Sequence, residues 1–344
     1  MKIGVIGCGQ IAQMRHIPEF AENPNCELTG FYDLSRTRTQ EVAKKYGGKV
    51  YETAEELILD KEIDAVSVCV ANYAHAEIVV KALESGKDVL CEKPMATNLL
   101  ECESMISAAK KAGKRLLIAQ NQRFAEAHQK AKELIESGYI GKIVSFRTTF
   151  GHGGPETWSI DPGKNTWFFD KSRAVMGVMA DLGVHKTDVL RYMTGQDVVR
   201  TTARLCTIDK KGPDGKLIGV DDNAICIYEL SGGAVGTMTA SWTFYGPEDN
   251  TTIFYGTKGI MRIYEDKDHS IVCRMADGSV ECFDVGAIQT NENQTKSGVI
   301  DEFVSAVMEE RSSILDAEEI INSMKAVFAS IESSSKGIPV EVKI

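Results

Sequence analysis

Apolar residues follow two patterns along this chain. Through the first third, short unbroken apolar runs alternate with stretches whose apolar positions recur every three or four residues. Residues 2–6 (KIGVI), 27–32, 65–70 (AVSVCV), 88–91 and 115–119 are runs of the first kind. Such runs mark strands covered on both faces of a parallel sheet. Between them, residues 10–22, 35–46, 53–59, 74–84 and 97–112 read as helices. Thr53 with Glu56 three positions on makes a capping-box pattern, and Gly86 and Gly113 end two of the helices. Strand–helix alternation sustained over about 120 residues predicts a doubly wound parallel sheet.

Beyond residue 124 the pattern changes. Residues 124–137 form one more helical stretch closed by Gly138, 143–150 a strand, 152–158 a Gly/Pro-rich loop and 174–193 a helix. From 198 to 285, strands recur around turn signals at Pro213-Asp-Gly215, Ser231-Gly-Gly233 and Asp277-Gly278, which predicts an antiparallel sheet. Residues 299–310 and 317–334 read as helices, followed by Gly337 and a short Val/Ile strand. The change of pattern places a boundary at 121/122, and 344 residues suit two domains. Residues 1–121 are expected to bind a dinucleotide, and 122–344 to form an α+β domain for substrate and oligomerisation.

Composition narrows the function classes. With 43% hydrophobic and 26% charged residues, the chain folds rather than staying disordered. Its net charge of −10 argues against a nucleic-acid partner. The deficit is uneven: residues 1–123 balance 16 basic against 17 acidic side chains, so the first third does not repel an anionic ligand. The nine cysteines are odd in number and show no CxxC pair, which suggests reduced thiols in the cytoplasm. A strand ending in glycines directly follows Met1-Lys2, so no signal peptide is expected, and no apolar run is long enough for a membrane span.

The first chemical signal is Gly7-Cys8-Gly9-Gln10-Ile11-Ala12, a G-x-G-x-x-A motif after a strand and opening a helix. Gly7 permits the tight turn, Gly9 lets the backbone approach a pyrophosphate, and Ala12 allows close strand–helix packing. The helix N-terminus offers N–H groups and partial positive charge to the phosphates. Asp33, 24 residues after Gly9, can bind the adenosine ribose hydroxyls. It would repel a 2′-phosphate, which favours NAD over NADP, although Ser35, Arg36 and Arg38 follow closely and leave NADP open. Asn72 and His75 follow the next strand near the expected nicotinamide ribose, with an ordinary polar cap as the plainer reading.

Glu92-Lys93-Pro94 follows the 88–91 strand, where ligands of an open parallel sheet gather. Glu92 and Lys93 are therefore expected at the cofactor. The Lys93 ammonium can stabilise developing negative charge on a carbinol or carbonyl oxygen, unless it is simply a solvated surface charge. Asp181-Leu-Gly-Val-His185 places two polar side chains on one helical face. His185 can act as general base, and Asp181 can orient the imidazole or bind substrate. The same spacing fits a helix-stabilising pair or half of a metal site, but no HxH, HExxH or cysteine cluster accompanies it, so no metal is expected. Gln122 and Arg123 follow the 115–119 strand at the same crevice. Gln122 is assigned to the cofactor, and Arg123 to substrate hydroxyls or an interdomain ion pair. His152, Trp158 and Trp167 belong to a loop that can wall a sugar ring or simply pack on the core. His16, His128 and His269 show no partner pattern, and the methionines of 176–193 follow core spacing.

Together these motifs resemble the glucose–fructose oxidoreductase/inositol dehydrogenase family, written Gfo/Idh/MocA. The resemblance runs nearly end to end, through GCGQIA at 7–12, Asp33, Ala71-Asn72 with His75, EKP at 92–94 and Asn121-Gln-Arg-Phe124. It continues in Trp167-Phe-Phe, Met179-Ala-Asp-Leu-Gly-Val-His185 and the tail from Asp301-Glu-Phe-Val to Gly337. It implies a Rossmann domain and a second domain with a large, open, mostly antiparallel sheet through which subunits associate as dimers or tetramers. The implied chemistry is NAD(P)-dependent oxidation of a secondary alcohol on a sugar, polyol or cyclitol. Lys93, Asp181 and His185 match the catalytic positions, and a cis bond is often found where Lys93-Pro94 stands. One departure is visible: many members read Gly-Gly-Gly where this chain reads Ala174-Val-Met-Gly-Val-Met179, which reshapes the expected pocket wall. Two other readings share the fold, an NAD-dependent redox-assisted glycoside hydrolase and a non-enzymatic dinucleotide-binding regulator. Retention of both Lys93 and His185 weighs against the regulator.

Overall fold

The apolar runs of the first third assemble into one parallel sheet. In the computed structural model, which describes residues 1–286 and 296–344, the strands are β1 (Lys2–Ile6), β2 (Glu27–Tyr32), β3 (Lys49–Val50), β4 (Ala65–Val68), β5 (Asp88–Cys91) and β6 (Leu116–Ile118). They lie in the order β3-β2-β1-β4-β5-β6, every pair parallel. The order reverses between β1 and β4, the switch point beside which α/β sheets bind ligands. The two-residue β3 is too short to register as an apolar run. Side-chain caps set the helix starts: Ser35, Thr53 and Asn98 each accept the N–H three residues on. The third of these moves the expected 97–112 helix to Leu99–Ala112.

The chain groups into two units. The first comprises Met1–Asn121 and the described part of Asn291–Ile321; the second comprises the rest. The sequence reading assigned all of 122–344 to the second domain, and the returning tail segment departs from that reading. The helix Val299–Met308 buries Val299, Ile300, Phe303 and Val304. Phe303 meets Phe20 edge-on at 6.3 Å, and the Ser297 N–H and hydroxyl each donate to the buried Glu19 carboxylate at 2.9 Å. Leu315 accepts the Ile118 N–H at 2.9 Å. An amphipathic helix reveals which of its faces is buried but not which layer buries it.

The second unit is built on a nine-stranded sheet. Its strands are β7 (Ile143–Gly151), β8 (Val198–Cys206), β9 (Asn223–Leu230), β10 (Val235–Ser241), β11 (Thr252–Gly256), β12 (Gly259–Ile263), β13 (Ile271–Met275), β14 (Val280–Phe283) and β15 (Val340–Glu341). They lie in the order β14-β13-β12-β11-β7-β10-β9-β8-β15. Only β7–β10 is parallel; every other pair is antiparallel. The turns at 231–233 and 277–278 join β9 to β10 and β13 to β14 as the sequence suggests. Along β9, Ala224, Cys226, Tyr228 and Leu230 are buried while Ile225 and Ile227 are exposed. The Tyr228 hydroxyl lies 3.0 Å from that of Thr187, on the helix Val184–Thr194 that covers the buried face.

Candidate active site

In the first unit the backbone does most of the shaping. Gly7 sits at φ +94, and a Cβ there would lie 2.4 Å from the Cys69 carbonyl oxygen, so only glycine fits. Gly9 faces open space, with nothing within 4 Å of a Cβ built on it, which suits the approach of a bulky anion. Gln13 N–H to Gly9 O, at 3.1 Å, opens the intrahelical bonding, so the N–H groups of Gln10, Ile11 and Ala12 precede it as donors for phosphate oxygens. Asp33 directly follows β2; its two oxygens accept the Cys8 and Ser35 N–H groups at 2.7 Å, and Arg38 lies 3.3 Å away. A carboxylate at the end of the second strand is the acceptor that ribose hydroxyls of an adenosine require, so these residues fit that group. The glycine loop, the helix start and Asp33 together fit NAD.

The helix after the loop is not regular. Ile17 N–H bonds Ala12 O, a π-turn over Ala12–His16 that periodicity alone does not predict. His16, which showed no partner pattern in the sequence, is buried with Nδ1 2.8 Å from Ser67 Oγ and Nε2 2.9 Å from Glu92 Oε1. Burial alone lowers the imidazole, but Cys69 and Glu92 outweigh it and push it up to about 10. Burial likewise raises Glu92, and His16 with Lys93 and Arg15 more than offsets it, holding the carboxyl below its ordinary value. The other Glu92 oxygen accepts the Lys93 N–H at 3.0 Å. One Glu92 oxygen is thus held by His16 and the other by the turn that carries Lys93.

His75 is placed similarly. It is buried, with Nδ1 2.8 Å from Pro94 O and Nε2 3.1 Å from Val70 O, and burial lowers its pKa. Both ring nitrogens face main-chain carbonyls, of Val70 after β4 and of Pro94 in the Lys93-Pro94 turn, whose peptide bond is cis. Asn72 is buried in the turn Asn72–Ala74 after β4, and Lys93 is half-buried.

In the second unit the site is assembled from side chains. The helix carrying Asp181 and His185 opens with a π-turn, Met179–Gly183, closed by Val184 N–H to Met179 O. Its start is seated by Asp221, whose oxygens accept the Gly177 and Met179 N–H groups at 2.8 Å. A Cβ on Gly177 would lie 1.9 Å from Asp221 O. The segment 174–179 thus departs from a glycine triplet but keeps glycine where a side chain cannot fit. Asp181 and His185 are only 6% and 7% exposed. The Trp242 indole donates to Asp181 Oδ2 at 3.0 Å.

Aromatic rings connect the two polar residues. Trp242 lies 6.4 Å from Phe168, Phe168 5.2 Å from Trp158, Trp158 6.3 Å from His152, His152 5.9 Å from Phe150, and Phe150 6.0 Å from His185. Trp167 stacks on Phe168 at 3.9 Å. His152 and Trp167 therefore share one aromatic framework with the Asp181–His185 helix. Arg123 does not: its guanidinium is buried and bidentate on Asp188, with two bonds of 2.7 Å, over the Tyr192 ring. Its assignment to substrate is corrected to an internal ion pair. Gln122 is also buried, its carbonyl accepting from His128 Nδ1 at 2.8 Å and its Oε1 lacking a partner. Among the described residues, no group of three or more His, Cys, Asp or Glu could hold a metal. Trp242, Asp221 and the His16–Glu92 pair escape sequence reasoning because their partners lie 61, 42 to 44 and 76 residues away, with no motif joining them.

Comparison with known proteins bears on both units. Residues 1–120 match the oxidoreductase family with an NAD-binding Rossmann fold, and residues 128–262 match the GFO/IDH/MocA C-terminal domain. Myo-inositol 2-dehydrogenase of Thermotoga maritima is 32% identical over 270 residues, 77% of this chain and 75% of that protein. Scyllo-inositol 2-dehydrogenase (NAD(+)) of Bacillus subtilis is 25% identical over 347 residues, 100% of this chain and 97% of that protein. The solved structure of levoglucosan dehydrogenase with NADH and levoglucosan superposes with a TM-score of 0.86 at 25% identity, covering all of both chains.

Proposed function

We propose a specific reaction for a chain whose family is established: it belongs to the GFO/IDH/MocA oxidoreductases, and NAD is the cofactor of its first domain. Within that family we read it as a dehydrogenase of a secondary alcohol on a sugar, sugar derivative or cyclitol. The substrate class is supported by relatives named for inositols and levoglucosan. The observation that carries the reading is the buried Asp181–His185 helix, bound to Trp242 and ringed by aromatic side chains.

Bound NAD supplies the hydride acceptor. His185 takes the hydroxyl proton at a ring nitrogen. Asp181 orients the imidazole and accepts a hydrogen bond from substrate. The family resemblance gives Lys93 the role of stabilising the developing oxyanion with its ammonium. His152 and Trp167 offer ring faces on which the apolar side of a sugar or cyclitol packs. Gly7, Cys8, Gly9, Gln10, Ile11 and Ala12 take the pyrophosphate, Asp33 selects the unphosphorylated ribose, and Asn72 and Gln122 complete the cofactor set. Nine unbridged cysteines suit a reducing cytoplasm. Val144, Ile225, Ile227 and Val235, exposed on one face of the nine-stranded sheet, suit association with a second copy of the chain.

The test follows absorbance of reduced cofactor with NAD and NADP over inositols, aldoses, amino sugars and sugar acids. Lys93→Ala, Asp181→Asn and His185→Ala should each abolish turnover while NAD binding survives. Wild-type rates in all three would overturn the assignment. Silence across the panel, with NAD retained on the purified protein, would favour the redox-assisted glycoside hydrolase.

A further inference from the structure

Trp242 stands immediately after β10, fully buried, and its place is determined from two directions. Its backbone N–H donates to Asp222 O at 2.9 Å. The neighbouring Asp221 side chain holds the Gly177 and Met179 N–H groups at the start of the Asp181 helix. One dipeptide, Asp221-Asp222, therefore anchors both ends of the bond between Trp242 Nε1 and Asp181 Oδ2. Phe168 and Phe169 pack against the indole with centroids at 6.4 and 6.0 Å. A phenylalanine would fill most of that space; what tryptophan adds is a directional donor, here aimed at an anionic acceptor.

We infer that Trp242 is a positioning residue for the reaction, its indole N–H fixing the rotamer of Asp181. The inference rests on the role assigned to Asp181 above. The aromatic framework also joins this bond to the loop bearing Trp158 and Trp167, so a change in Trp242 acts on the orientation of that loop as well as on Asp181.

The test uses the holoenzyme with NAD and its best substrate. Trp242→Phe removes the donor; replacement of Trp242 by the isosteric 3-benzothienylalanine removes it without changing shape, should the phenylalanine variant fold poorly. The expected result is a fall in kcat/KM of about ten- to a hundredfold, the loss of one charge-assisted hydrogen bond. NAD affinity should be unchanged. In an Asp181→Ala background, read by single-turnover kinetics, the same replacement should change the rate by less than about twofold. A wild-type rate in both Trp242 variants, with Asp181→Ala slow, would overturn the inference. A loss that persists in full in the Asp181→Ala background would overturn it too, since Trp242 would then act on packing alone. If Asp181→Ala itself kept the wild-type rate, the reading of Asp181 would fall and this inference with it.

Discussion

The two units hold their chemistry by different means. In the first, backbone geometry is decisive: a glycine at φ +94 against a carbonyl, a helix start, and Glu92 and His75 gripping the turn that presents Lys93. In the second, side chains from distant strands converge on one irregular helix: Asp221 on its first N–H groups and Trp242 on Asp181. A site written in backbone tolerates little change at a few positions and much elsewhere. A site written in side chains spreads the demand over many positions, each of moderate weight.

The strongest challenge to this contrast is Gly7→Ala. The added methyl meets the Cys69 carbonyl, and the φ is foreign to alanine. Together these should cost at least about 2 kcal/mol of stability and remove measurable NAD binding. Thermal unfolding and NAD titration check it; unchanged NAD affinity would show that the loop yields more than a backbone-defined site should.

A second challenge concerns the buried His16–Glu92 pair. The folded His16 pKa, about 10, lies above the ordinary imidazole value of 6.5, so its contribution is complete below pH 6.5 and is lost as pH rises through 10. Glu92 has the opposite sign, its contribution present above the ordinary carboxyl value and lost on acidification. Wild-type Tm should therefore fall between pH 7 and pH 10, and His16→Gln should flatten that slope. Parallel slopes in the two proteins would remove the charged pair from the account.

The mildest test sharpens the second unit. Arg123→Lys keeps the charge but loses the fork on Asp188, which should cost about 1–2 kcal/mol in thermal stability and leave KM for substrate unchanged. A raised KM with unaltered Tm would return Arg123 to the substrate.

The same contrast explains what the sequence could disclose. The glycine loop, Asp33 and Lys93 are local signals whose partners lie within a strand and a turn, and the alternation of apolar runs suffices for the parallel sheet. Asp181 and His185 are also legible, since four residues separate them. Trp242 and Asp221 are not, because their significance arises only when β10 and the loop before β9 pack beside the helix at Met179. Both π-turns were also hidden, since apolar periodicity cannot report a single widened turn. His75 and Glu92 show the converse: their positions after β4 and β5 point to the cofactor, and their contacts to the turn that carries Lys93 emerge only in the fold.

The return of Phe303 and Ser297 to the first unit has a practical consequence for protein engineering. The dinucleotide-binding unit is not a contiguous cassette. A gene cut at codon 121 would strip Phe20 of its edge-on neighbour and leave the Glu19 carboxylate without the two donors that keep it satisfied away from water. Grafting this unit onto another catalytic partner requires transplanting two separate stretches of coding sequence, and recombination between related genes would preserve function only when both crossovers respect that pairing.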